Sequence, residues 1–154
     1  VDPYLDVSTF RARTVMPPED VDYLEERAPG FLLSRLRIAT SRIDAKLRKR
    51  YAVPFVAPVA EIVLGWVTAI VTVDAYQKRG ANPSDAQFAQ IVSDRDLALE
   101  ELEAAANAET GLFELPLRED APTNAVTRGV PLAYSEPSPY DWIDKQAEAL
   151  NGRS

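Results

Sequence analysis

The side chains here that could do chemistry are carboxylates, serines, lysines, arginines and tyrosines, because the 154 residues include no histidine and no cysteine. That removes thiolate nucleophiles, disulfides, Ser-His and Cys-His dyads, and every zinc site built on imidazole or thiolate. Carboxylates could still hold magnesium or calcium. The densest group, Glu100, Glu101 and Glu103, falls in a segment of helical periodicity, where adjacent residues point about 100° apart and do not converge. It reads as an acidic, solvated face rather than a metal or acid-base site. Glu61 and Asp74 flank the most apolar stretch of the chain, near the ends of a helix, where structural ion pairs explain them better than catalysis does. The six glycines are dispersed, so there is no phosphate-cradling loop or dinucleotide fingerprint and no cofactor is expected. Gly65, inside the apolar stretch, reads as a place for two helices to cross closely.

The cations are more organised than the acids. Arg35, Arg37, Arg42, Lys46, Arg48, Lys49 and Arg50 face only Asp44 between residues 31 and 51, whereas residues 1–30 carry seven acids against three bases, and residues 81–110 seven against one. A net charge of −7 and a pI near 4.7 argue against a protein whose main task is gripping nucleic acid. The basic segment has no aromatic platform before Tyr51 and no helix-turn-helix partner of the usual spacing. Its cations suit the acidic face of a neighbouring subunit better than DNA, with a set of solvated helix faces as the plainer alternative.

The elements that must position these residues are helical. Leu32, Leu36, Ala39, Ile43 and Leu47 recur every three or four positions and predict a helix over about 31–50. Pro54 and Pro58 then form a corner, with Pro58 in the first turn of an apolar helix over about 58–79 that ends on Lys78, Arg79 and Gly80. Asn82 to Asp85 reads as turn and cap for a third helix over about 84–109, with Phe88, Ile91, Val92, Leu99, Leu102 and Ala106 as its stripe. Short helices are expected from Asp6 or Ser8 to about Arg13, anchored by Phe10, and from Pro18 to Arg27 with Glu19 and Asp20 in the first turn. Pro58, Glu61 and Asp74 make residues 56–73 a central bundle helix rather than a membrane span. The opening VDPYLDVSTF does not read as a signal peptide.

The composition changes after Gly111, with five of the twelve prolines in the last 44 residues. The fold class is therefore all-α: a helical domain over 1–111 of three main helices and two short ones, then an extended arm over 112–154. A short helix is plausible at 138–150, capped by Ser138. Phe113, Leu115, Tyr134, Tyr140, Trp142 and Ile143 are the arm's candidate anchors into another surface.

Three phrases carry a resemblance to a known family: YLDVSTFRAR at 4–13, SRIDAKLRKRYAVPF at 41–55 running into the apolar helix, and GLFELPL at 111–117. The second contains the spaced set Ile43, Asp44, Leu47, Arg50, Tyr51 and Pro54. Together they resemble the head-to-tail connector, or adaptor, proteins of tailed bacteriophages and Mu-like prophages over about residues 4–117. The resemblance implies a virion protein without enzymatic activity, assembled in the host cytoplasm at the neck. It also implies a ring, typically twelve-fold, beneath the portal protein, forming part of the DNA channel and meeting a downstream neck or tail protein. The arm would dock on the portal or a neighbour. With this role, Arg35, Arg42, Lys46, Arg48, Lys49 and Arg50 are subunit-interface candidates. Glu100, Glu101 and Glu103 are candidates for a channel face that repels phosphate. Another neck component, a stopper or tail-completion protein, is the alternative, as is an acidic helical partner of DNA packaging or regulation.

Overall fold

The first element is set by a side chain outside it. Asp6 accepts a hydrogen bond from the Thr9 backbone N–H and caps α1, Val7–Arg13, whose Phe10 is fully buried. That contact holds the Asp6 carboxyl below the usual carboxylate range. In this computed structural model, which describes residues 2–107 and 115–118, five helices follow in the order the periodicities predict. α2, Pro18–Arg27, starts on a proline with two acids in its first turn and buries Val21 and Leu24. α3, Phe31–Leu47, starts after Gly30, which sits at φ 77°, a backbone conformation that suits glycine. α4 is Glu61–Arg79, closed by Gly80 at φ 95°, and α5 is Ala86–Ala106, capped by Asp85, which accepts from the Gln87 N–H.

α4 is the centre of the bundle. It packs against α2, α3 and α5, while α3 also touches α1, α2 and α5. The five residues of the α3 stripe are each no more than 1% exposed, and they meet Val63, Trp66, Val67 and Val71 of α4 and Leu102 and Ala105 of α5 in one core. Burying each of the larger side chains is worth about 2 kcal/mol, which is what holds a basic helix against the rest. Among the described residues no helix is long and apolar enough to cross a membrane, and the only β pairing is an isolated bridge between Tyr51 and Leu117.

Three boundaries differ from the sequence expectation. α3 stops at Leu47 rather than Arg50, because both Arg50 and Tyr51 donate their N–H to the Leu47 carbonyl and the chain then turns to send Tyr51 into the core. α4 begins at Glu61 rather than Pro58. Val59 and Ala60 pack partly buried on the core ahead of it, and the Ala60 carbonyl receives the first-turn N–H groups of Val63 and Leu64. The corner thus spans the residues between α3 and α4, with cis peptide bonds before Pro54 and Pro58. α5 starts two residues later than expected, behind its Asp85 cap. Its expected end at Glu109, and the 138–150 helix, lie outside the described residues.

Candidate functional site

Beside the corner lies the one buried acid among the described residues. Asp44, on the inner face of α3 and 6% exposed, accepts a short hydrogen bond from the Tyr4 hydroxyl. That hydroxyl in turn accepts from the Phe55 N–H at 2.9 Å, and the Tyr4 N–H donates to Thr40 Oγ at 3.1 Å. The Tyr4 and Phe55 rings lie 5.8 Å apart between centroids. One tyrosine thereby ties the segment before α1, two turns of α3 and the far side of the corner together. Burial pushes the Asp44 carboxyl up, against the pull of the Tyr4 hydroxyl and the Arg48 charge. Burial, and then the Asp44 hydrogen bond, push the Tyr4 phenol well above its ordinary value. Of the residues that carry the family phrase, Asp44 is therefore part of a fastening, and Leu47 and Tyr51 are fully buried in the core.

The candidate interface cations separate into two sets. Arg35 lies 3.7 Å from Asp74, and Lys46 lies 3.4 Å from Glu103, so these two are engaged within the chain. Arg50 stacks over the Tyr51 ring at 5.6 Å and is half-buried. Arg42, Arg48 and Lys49 are exposed and form no salt bridge among the described residues. Arg37 behaves the same way. Glu61 and Asp74 are both in ion pairs, with Arg13 and Arg35, as their positions at helix ends suggested.

The acidic trio does not act as one face. Glu101 accepts from Trp66 Nε1 at 3.1 Å and turns toward α4, Glu103 turns toward Lys46 on α3, and Glu100 is exposed with no such contact. Among the described residues no group of three or more acids could hold a metal ion.

Of the arm anchors, Leu115 is the one described, and it is 4% exposed in this chain's own core. Around it, residues 115–118 lie along the corner. The Ala52 N–H donates to the Pro116 carbonyl at 2.9 Å, the Arg118 N–H to the Arg50 carbonyl at 3.0 Å, and Arg118 Nη1 to the Arg48 carbonyl at 2.9 Å. The guanidinium meets carbonyls at the C-terminal end of α3, where the helix dipole favours a cation. The helical body therefore takes in residues beyond Gly111. Phe113, Tyr134, Tyr140, Trp142 and Ile143 lie outside the described residues.

The feature that sequence reasoning misread is Gly65. It is exposed on α4, and a Cβ built there would meet no atom within 4 Å, so no helix crosses at that point. Gly65 and Ala69 instead floor an open groove between α4 and α5, walled by Trp66, Leu97, Asp94 and Glu101, with about 310 Å³ of space. It continues past Thr68 and Thr72 toward Arg13 and Val15, with about 240 Å³ more. Leu97 and Val15 are 56% and 65% exposed on its rim. A glycine in mid-helix was the visible signal; which face it occupied was not.

The class these features define is a five-helix, all-α domain whose buried polar groups fasten its own segments and whose open surfaces are a charged helix face and an apolar groove. The family model described as "Bacteriophage Mu, Gp36" matches residues 13–131, and the chain belongs to that phage family. No curated protein and no solved structure matches it.

Proposed function

We propose that the chain is a structural head-to-tail connector, or adaptor, which assembles as a ring beneath the portal protein and forms part of the channel for double-stranded DNA. Membership of a phage family supports a virion role, and the resemblance noted in the sequence supports the neck position. The observation that carries the proposal is opposite charge left without ion pairs on one subunit: Arg37, Arg42, Arg48 and Lys49 are exposed on α3 and the turn after it, and Asp94, Glu100 and Glu101 are exposed on α5, and none of these forms a salt bridge among the described residues. Different, complementary surfaces on the same molecule make heterologous contacts, which close into rings when the rotation allows. Glu100, which makes no side-chain hydrogen bond or ion pair among the described residues, is the best of the three acids for lining the channel, where repeated negative charge would let DNA slide rather than stick. The role is non-enzymatic and calls for no cofactor.

Native mass spectrometry of the purified chain, alone and with portal protein, tests this. The expected result is a closed ring or recruitment onto the portal. A chain that stays monomeric and ignores the portal would overturn it.

A further inference from the structure

A glycine in mid-helix is less stable than alanine at the same position, and the described residues gain nothing from the missing side chain, since none of their atoms lies within 4 Å of where its Cβ would be. The position is open to a partner. Gly65 and Ala69, one turn apart, let another helix come close, while Leu97 offers apolar contact at the rim. Asp94 and Glu101 stand seven residues apart on α5, about 10.5 Å along its axis at 1.5 Å per residue. Both line the groove and both are exposed.

The outer face of α3 has the complementary pattern. Ser34, Ile38, Ser41, Arg42 and Ala45 are all exposed, and Lys49 follows in the turn after the helix. Small residues flank one isoleucine, which is 38% exposed, and the two cations, again seven residues apart, form no salt bridge among the described residues. We infer that the groove of one copy receives the outer face of α3 from a second copy, with Ile38 against the Gly65 floor and Arg42 and Lys49 against Asp94 and Glu101. This rests on the ring-forming role proposed above and assigns its subunit contact. The two surfaces lie on different helices, so the contact is head-to-tail, and it commits Glu101 to the interface rather than the channel.

Because the chain has no cysteine, pairs of engineered cysteines report contact between copies without ambiguity. An Arg42→Cys chain mixed with an Asp94→Cys or Glu101→Cys chain should form a disulfide-linked pair under mild oxidation, whereas Glu26→Cys, exposed on α2, should not link to Arg42→Cys. Gly65→Leu should fill the groove, keep or raise the melting temperature, and weaken ring assembly at least tenfold, and Gly65→Ala should weaken assembly by a smaller factor. Independently of Gly65, Arg42→Glu with Lys49→Glu should fail to assemble alone and recover when mixed with Asp94→Lys plus Glu101→Lys. Normal rings from Gly65→Leu, with unlinked cysteine pairs and no recovery in the charge exchange, would overturn the groove contact and leave the connector role standing. Absence of any ring, with or without portal protein, would overturn both.

Discussion

The corner between α3 and α4 and the groove between α4 and α5 treat their polar and apolar groups in opposite ways. At the corner the Tyr4 hydroxyl both donates and accepts, Asp44 is answered from within the chain, and residues 115–118 lie across the α3 end with three hydrogen bonds to it and the turn beyond. In the groove α4 leaves a position without a side chain, Leu97 of α5 and Val15 ahead of α2 stay exposed, and the carboxylates of Asp94 and Glu101, each with one hydrogen bond from within the chain, stay exposed without an ion pair among the described residues. Folding pairs the polar groups of the first region, apart from the Tyr51 hydroxyl and Arg50 Nη1, which are buried without a hydrogen-bond partner among the described residues. The second is left to be finished by assembly. Substitutions at the corner should therefore appear in the stability of the isolated chain, and substitutions in the groove in its association.

The largest contrast should come from Tyr4→Ala. It removes the ring from Phe55, leaves Asp44 buried without its donor and strands the Phe55 N–H, for a loss of about 3 kcal/mol in urea unfolding. A loss under 1 kcal/mol would show that the corner is not the fastening it looks like. Next comes pH. The Tyr4 phenol titrates above its ordinary value near 10 in the folded chain. The folded state therefore holds that proton longer than the unfolded one, and the contribution is intact below about pH 10 and lost as pH rises through the raised value, by at most about 1.4 kcal/mol per pH unit. Tyr4→Phe should flatten this alkaline limb; an unchanged slope would assign it to another group, such as Tyr76, which burial also raises. Smallest is Gly65→Ala, which should raise stability by about 1 kcal/mol, since the methyl meets nothing and the helix gains propensity. A destabilised Gly65→Ala protein would mean that the glycine serves the fold after all, and the contrast between the two regions would collapse.

Local signals were legible before any coordinates. α2 has the expected bounds, since Pro18, Glu19 and Asp20 announce a first turn and Pro29 and Gly30 its end. The α3 stripe is buried at every expected residue. What the sequence could not reveal is long-range. Tyr4 meets partners 36 to 51 positions away, and nothing in the periodicity around it points there. Nor could it tell Gly65 as an empty surface from Gly65 as a crossing, because helical spacing gives the angle between side chains but not which neighbour stands at each angle. The acidic trio diverges as helical spacing implies, but it is not the single solvated face expected of it, because Glu101 and Glu103 meet Trp66 and Lys46 on other helices. Leu115 was recognised as an anchor; that it anchors into its own domain needed the pairing at Tyr51.

The Tyr4 fastening also imposes an order in time. During synthesis Tyr4 leaves the ribosome 51 residues before Phe55 and 40 before Asp44, so it has none of these partners while α1 and α2 take shape, and its full set is present only when α3 and the corner have emerged. Closing so wide a loop costs chain entropy that is recovered only when all three contacts form together. A segment made before all of its partners is thus among the last to be fixed.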